Sequence, residues 1–124
     1  MTSSFTIGDL ATEFGVTTRT IRFYEDKGLL TPRRHGTHRV FGPRDRTRLR
    51  LILRGRRIGF SLAEIAEIVG MYDDAPGERG QLELLIAKAA EHRATLELKR
   101  AAIDSTLDEL ADVEHRAAAR LAEL

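Results

Sequence analysis

The chain has 124 residues, which is enough for one small domain or for a small domain with an extended helical segment. It contains no cysteine, so disulfides, thiolate metal sites, iron–sulfur clusters and cysteine nucleophiles are excluded. The N-terminus lacks the features of a secretory signal, and no apolar run approaches the roughly 18 residues of a membrane span, so we expect a cytoplasmic protein with no membrane partner.

The formal net charge of +1 conceals a strong asymmetry along the chain. Residues 1–60 carry thirteen basic and five acidic side chains, whereas residues 61–124 carry seven basic and fourteen acidic ones. The first part is therefore near +8 and the second near −7. A basic head joined to a solvated, self-associating tail is typical of nucleic-acid-binding proteins.

The first elements in chain order predict a helix-turn-helix. Thr6 has the spacing of an N-cap with Asp9 three residues later, and the apolar residues that follow repeat at helical intervals. Gly15 predicts a left-handed end to this helix. Thr17 predicts the cap of a second helix that runs to about Lys27. Two short helices joined by such a tight turn indicate a helix-turn-helix unit.

The second helix has one side suited to a DNA groove. At about 100° per residue, Ile21 and Tyr24 share the inner side of this helix. Arginine bonds both phosphates and guanine edges, so basic residues on the outer side favour DNA contact over a merely solvated face. The outer side carries Thr18, Arg19, Arg22, Phe23 and Asp26.

A basic hairpin follows the second helix. Pro32 ends the helical region, Gly36 predicts a turn, and residues 39–41 predict a short strand. A hairpin in this place is a wing that lies along the adjacent DNA backbone. His35 and His38 have no carboxylate beside them, which favours phosphate contact or solvent exposure over a metal site.

Two further helices complete the head. Pro43 predicts the start of a third helix, with Arg44 near its N-terminus in reach of a phosphate and Gly59 at its end. Ser61 and Glu64 have the spacing of a capping box at the start of a fourth helix. The head therefore consists of four helices and a wing.

A long helix is predicted for the rest of the chain. A turn-rich stretch near residue 75 divides a DNA-binding domain over residues 1–75 from a dimerisation helix over residues 76–124. Beyond it, an apolar residue recurs at every seventh position from Leu82 to Leu124, which predicts a coiled coil. The pattern does not decide whether the paired helices run parallel or antiparallel. The alternative is a lone solvated helix. So long a helix needs a partner to bury its apolar stripe. The predicted dimerisation residues are Leu82, Ile86, Ala89, Leu96, Ile103, Leu107, Leu110, Ala117 and Leu121.

Five stretches of the chain match one known family in order and spacing, namely residues 6–11, 18–30, 39–41, 49–53 and 58–65. They resemble the MerR-type transcriptional regulators. The resemblance implies an all-α fold with a small β-hairpin wing, and a long C-terminal helix that forms an antiparallel coiled-coil homodimer. It also implies that the binding site is an inverted repeat in the long spacer between the two elements of a promoter. The dimer distorts this DNA so that RNA polymerase engages both elements.

The resemblance assigns DNA contacts to the second helix and the wing. In this family tyrosine is more common at the positions of Phe23 and of Val40 or Phe41, so the missing hydroxyl removes a phosphate bond there. No catalytic residue and no cofactor is predicted, and the chain is not expected to be an enzyme. The predicted DNA-binding residues are Thr17, Thr18, Arg19, Arg22, Phe23, Tyr24, Lys27, Arg33, Arg34, His38, Arg39, Phe41 and Arg44.

The signal that controls the protein is the least defined part of the prediction. The family's metal and redox sensors use cysteines, which this chain lacks. Residues 51–62 and 71–73 are similar to cysteine-free regulators of branched-chain amino-acid and acyl-CoA degradation. A small-molecule effector, if one binds, is expected at Tyr72, Leu82 and Leu85. The alternative functions are an architectural, excisionase-like DNA-bending protein and, less favoured, a coiled-coil adaptor that binds RNA or an acidic protein.

Overall fold

The computed structural model describes residues 4–71 and 77–124. The elements in chain order are α1 (Ile7–Phe14), α2 (Thr18–Asp26), β1 (Arg33–His35), β2 (His38–Val40), α3 (Pro43–Arg57), α4 (Leu62–Gly70) and α5 (Gly77–Glu123). The two strands pair in antiparallel fashion. This confirms a mainly helical fold with a small hairpin wing and a long final helix. None of the helices in the described ranges has the length and apolarity that crossing a bilayer requires.

The predicted helix caps are confirmed. Thr6 Oγ1 accepts a hydrogen bond of 3.0 Å from the Asp9 N–H, and the Asp9 carboxylate accepts one of 2.9 Å from the Thr6 N–H. Ser61 and Glu64 form the same reciprocal pair at the start of α4, with distances of 3.1 and 2.9 Å. Gly15 ends α1 with a φ of 66°, which a residue without a Cβ adopts at no steric cost.

Substitution of Ser61 by alanine removes the hydroxyl that accepts from the first turn of α4. We expect the free energy of unfolding to fall by about 1 kcal/mol, as is usual for the loss of an N-cap. Urea unfolding followed by circular dichroism measures this change. Ser105→Ala is the matched control, because Ser105 is exposed within α5 and caps no helix. Equal unfolding midpoints for the two variants would contradict the prediction.

The core of the head includes a residue that was predicted to contact DNA. Phe41 is 0% exposed, and it forms an isolated bridge with Phe5 through backbone hydrogen bonds of 2.8 and 2.9 Å. The prediction that the Phe41 side chain binds DNA is therefore wrong. The predicted strand over residues 39–41 is also shifted by one position, because β2 ends at Val40. The other fully buried side chains include Leu10, Ile21, Leu30, Leu49, Ile52, Phe60 and Ile65.

The long helix α5 contributes to two compact units of the chain, one that ends at Leu85 and one over Ile86–Leu124. Within the first unit, the Gln81 side-chain amide donates a hydrogen bond of 3.0 Å to the Ile68 carbonyl. Within the second unit, the apolar side chains that recur at heptad spacing are exposed apart from the half-buried Ala89, with Ile103 at 59%. The predicted domain boundary near residue 75 lies outside the described residues and stays a prediction.

Candidate nucleic-acid interface

Helix α2 is held in place by its N-cap and by its inner side. Thr17 Oγ1 accepts a hydrogen bond of 3.1 Å from the Thr20 N–H. Ile21 and Tyr24 are buried in the core, at 0% and 6% exposure. Because these contacts fix the rotation of α2 about its axis, they also fix which residues face outward. A phosphate contact of the nearly buried Tyr24 stays a prediction.

The outer side of α2 presents unpaired cationic side chains. Arg19 and Arg22 are exposed, and neither is paired with a carboxylate in the described part of the chain. Phe23 is 43% exposed, and the Lys27 ammonium lies 5.4 Å from the centre of its ring. Such a cation–π contact holds the lysine along the helix surface. Thr18 lies at the start of the same helix and is half-buried.

The two strands of the wing pair over three residues each, and one of these pairs consists of two arginines. Arg34 lies directly opposite Arg39, and His35 lies opposite His38. Arg33, Arg34 and both histidines are exposed. Among residues 4–71 and 77–124, no group of three or more potential ligand side chains could hold a metal ion.

Glu25 of α2 pairs with both of the opposed wing arginines. The Arg39 Nε donates to Glu25 Oε1 at 2.6 Å, and the Arg34 Nη2 donates to Glu25 Oε2 at 3.1 Å. The Arg39 side chain is only 22% exposed, whereas that of Arg34 is 52% exposed. DNA contact by Arg39 is thus limited to the part of its guanidinium that Glu25 leaves open. Glu25 was not predicted from the sequence, because no local pattern shows which basic residues a lone carboxylate will meet.

Asp45 holds the base of the wing. It is buried, and its Oδ1 accepts a hydrogen bond of 3.1 Å from the Thr31 N–H, while its Oδ2 accepts one of 3.4 Å from the Gly42 N–H. Thr31 precedes β1 and Gly42 follows β2, so one carboxylate joins both ends of the hairpin. The sequence analysis also missed this role, although an acidic residue at N3 of a helix was a signal for the bond to Gly42.

A second cluster of arginine and carboxylate joins α1 to α3. The Arg46 guanidinium donates to both Glu13 oxygens, with Nε distances of 2.9 and 2.8 Å, and Arg50 lies 4.0 Å from the same carboxylate. The hydrogen bond from Arg46 holds the pKa of Glu13 below its usual 4.5, and Glu13 in turn raises the pKa of Arg46. The pair is solvent-accessible, so its effect is weakened by screening.

Substitution of Glu13 by glutamine is expected to weaken the acid sensitivity of the fold. Because the folded pKa of Glu13 lies below the unfolded one, the carboxylate stabilises the fold above pH 4.5, and this stabilisation is lost as the pH falls through the folded pKa. The melting temperature of Glu13→Gln should therefore fall less between about pH 6 and about pH 3 than that of the unsubstituted protein. Glu97→Gln, at an exposed position of α5, is the control. Identical pH profiles for all three proteins would refute the prediction.

Two family models match the chain and together cover most of it. Residues 5–71 match the MerR HTH family regulatory protein model, and residues 46–113 match the MerR, DNA binding model. Both matches include α4 and most of α3, and the second extends along α5.

Curated relatives agree with these matches. The chain is 37% identical over 114 residues to the HTH-type transcriptional regulator HmrR of Sinorhizobium medicae, covering 88% of this chain and 76% of that protein. It is 36% identical over 99 residues to heavy metal-dependent transcription regulator 2 of Rhizobium meliloti, covering 78% of this chain and 65% of that protein. The chain thus spans less than two thirds of the length of the second relative.

Solved structures show the same fold. A MerR-family transcriptional regulator from Bacillus cereus has a TM-score of 0.67 at 25% identity, covering 89% of this chain and 79% of that one. HiNmlR, a MerR-family regulator that lacks the sensor domain and is bound to promoter DNA, has a TM-score of 0.53 at 25% identity, covering 77% and 80%. These proteins are transcription regulators and not enzymes. Because two family models and a relative that is 37% identical agree, this chain belongs to the MerR family of DNA-binding transcription regulators.

Proposed function

We propose that this protein is a homodimeric, sequence-specific regulator that binds an inverted repeat in a promoter spacer and distorts the DNA. The observation that carries the proposal is the outer side of α2, where Arg19 and Arg22 are exposed and unpaired within the described residues beside a wing fixed by Glu25 and Asp45. RNA polymerase is then an indirect partner that engages the distorted promoter. Such a protein acts in the cytoplasm, on the nucleoid.

The proposed contacts divide into base recognition and backbone positioning. An α-helix is about 10–12 Å wide and fits the major groove, so α2 brings Arg19 and Arg22 to base edges. The N-terminus of α2 and the wing meet phosphates, which fix the register on the duplex but carry no sequence information. The proposed phosphate contacts are Thr17, Thr18, Tyr24, Lys27, Arg33, Arg34, His38, Arg39 and Arg44. Phe23 is proposed to contact the DNA through its ring only, because it has no group that bonds a phosphate.

The proposed dimer pairs α5 with a second copy in antiparallel orientation, and the charge along the helix supports this. Residues 77–100 carry five basic and four acidic side chains, whereas residues 101–124 carry two basic and six acidic ones. A parallel pair would bring the acidic residues 101–124 of both copies together, and these would repel each other. An antiparallel pair sets residues 101–124 of each copy against the weakly basic residues 77–100 of the other. Pairing centred between residues 101 and 102 sets Leu96 against Leu107 of the second copy and Leu82 against its Leu121. This register joins every heptad position from 82 to 121.

An effector site is proposed in the head, at a cavity that one of the predicted effector residues lines. Leu85 lines an apolar cavity of about 80 Å³ that also has Arg54 at its wall. Leu82 is not among the lining residues, and Tyr72 lies outside the described residues. A cavity about half the size of one that holds benzene admits only a short hydrocarbon group, with its acid end on Arg54. This chemistry fits control of branched-chain amino-acid or acyl-CoA catabolism by a small acid. The other lining residues are Leu51, Gly55, Ile58, Phe60, Ile65, Ile68 and Val69.

Several relatives have names that refer to metals, such as the mercuric resistance operon regulatory protein of Pseudomonas fluorescens. We do not extend thiolate metal sensing to this chain, because its sequence has no cysteine to supply the ligands. The proposed signal is therefore organic.

Genome-wide mapping of the DNA bound by the tagged protein in its host tests the proposed function. Sharp peaks over inverted repeats within promoter spacers would support it, and peaks beside branched-chain catabolic operons would support the pathway. Broad occupancy without a shared motif would overturn sequence-specific regulation and favour the alternative, an architectural DNA-bending protein.

A further inference from the structure

We propose that Glu25 is a positioning residue that sets the wing against the recognition helix α2 and so determines how well the protein discriminates its target from other DNA. The proposal rests on the DNA-binding function proposed above. Glu25 is a carboxylate on the proposed DNA-binding surface. Every other residue proposed to contact DNA there is cationic, aromatic or carries a hydroxyl, and a negative charge weakens the attraction to DNA.

The wing is too small to hold its own geometry. Each strand has three residues, and an isolated two-stranded hairpin is marginally stable in water. Arg34 and Arg39 lie directly opposite each other, and like charges at such a cross-strand pair destabilise the ladder. Asp45 joins the ends of the hairpin through backbone groups that lie outside the two strands. Phe41, the residue after β2, pairs with Phe5 and enters the core, so it anchors one end of the hairpin. The direction of the strands beyond that end depends on the side-chain contacts of the strands themselves.

Glu25 supplies that contact from α2. One carboxylate oxygen accepts from Arg34 and the other from Arg39, so a single side chain bridges both strands and offsets their repulsion. The Glu25 side chain is 18% exposed and that of Arg39 is 22% exposed, so solvent screens this pair less than an exposed one. Charge-assisted bonds of this kind also carry directional preference. The wing is thereby held at one orientation relative to Arg22, which lies three residues before Glu25 on α2.

Loss of the Glu25 carboxylate should have opposite effects on the affinity for the target DNA and on the affinity for other DNA. Removal of the Glu25 charge ends the competition between this carboxylate and the DNA phosphates for Arg34 and Arg39, which strengthens binding to any duplex. It also releases the wing from α2, so the phosphate contacts of the wing no longer form in register with the base contacts of Arg19 and Arg22. Binding to the target should weaken while binding to other DNA does not.

The test uses Glu25→Gln in the full chain and two probes, measured by fluorescence anisotropy. One probe is a duplex selected from a random pool by the unsubstituted protein, and the other is a scrambled duplex of equal length and composition. We expect affinity for the selected duplex to fall at least about tenfold, with unchanged or higher affinity for the scrambled one. The slope of log K against log salt on the scrambled duplex should steepen by about one per added phosphate contact. Glu25→Asp, which keeps the charge, should restore part of the discrimination.

Glu13→Gln is the matched control, because it removes one negative charge from a carboxylate that also binds arginines, but away from the wing. It should keep the ratio of the two affinities. An unchanged ratio in Glu25→Gln, or an equal loss on both duplexes together with a lower melting temperature, would overturn the proposal. If the pool yields no shared motif, the proposed function fails; faster amide exchange in residues 33–40 of Glu25→Gln alone would still establish that Glu25 orders the wing.

Discussion

Substitution of Arg22 by alanine is expected to lower the affinity for the selected duplex by roughly 30-fold or more. A bidentate arginine–guanine contact contributes about 1–3 kcal/mol, and a dimer makes the contact twice, once in each half-site. Arg22 is exposed and unpaired within the described residues, so its removal should leave the melting temperature nearly unchanged. Anisotropy titrations at one fixed salt concentration, on the selected and the scrambled duplex, measure the effect.

The control for this loss of charge is Arg79→Ala. The Arg79 side chain is 90% exposed and pairs with Glu83 in the first part of α5, outside the proposed interface. It should shift both affinities slightly and equally. If Arg22→Ala weakens binding to the two duplexes by the same factor, Arg22 contacts phosphate only, and the assignment of α2 as the base-reading element is wrong.

Substitution of Leu107 by aspartate is expected to convert the protein from a dimer into a monomer. Leu107 is 57% exposed in the single chain and lies opposite Leu96 of the second copy in the proposed antiparallel pair. Burial of a leucine contributes about 1.5–3 kcal/mol, and each dimer would lose two such side chains while gaining two buried carboxylates that face leucines. The dissociation constant of the dimer should rise at least about a hundredfold. Analytical ultracentrifugation over a range of protein concentrations measures it.

Leu98→Asp is the matched control for the dimer. Leu98 is an exposed leucine of the same helix, at 75%, but it lies outside the heptad positions of the seam. The same kind of change there should leave the dimer intact. A dimeric Leu107→Asp protein would refute the proposed interface, whereas a monomeric one should also lose affinity for the inverted repeat, because only one half-site is then bound at a time.

The sequence predicted those features that depend on neighbouring residues. The caps at Thr6 and Ser61 involve partners three positions away, and each helix start follows from that local chemistry. The outward side of α2 was predictable because helical periodicity alone places Ile21 inside. The candidate recognition face was therefore identified before any tertiary contact was known.

The features that escaped prediction depend on residues distant in sequence. Phe41 was assigned to DNA because it follows a basic strand, but its backbone pairs with Phe5 and its ring enters the core. Glu25 meets Arg39 across fourteen positions, and Asp45 meets Thr31 across the same separation. No periodic pattern encodes such pairs, because they arise only when the hairpin folds back on α2 and α3.

The Asp45 contact attaches the wing to α3 without involving the side chains that the wing presents to DNA. Asp45 binds the N–H groups of Thr31 and Gly42, which belong to the backbone and are present whatever side chains occupy those positions, proline alone excepted. The side chains between Thr31 and Gly42 can therefore change without loss of these two bonds. A designer can graft another hairpin here, provided that it keeps basic residues at positions 34 and 39 to meet Glu25.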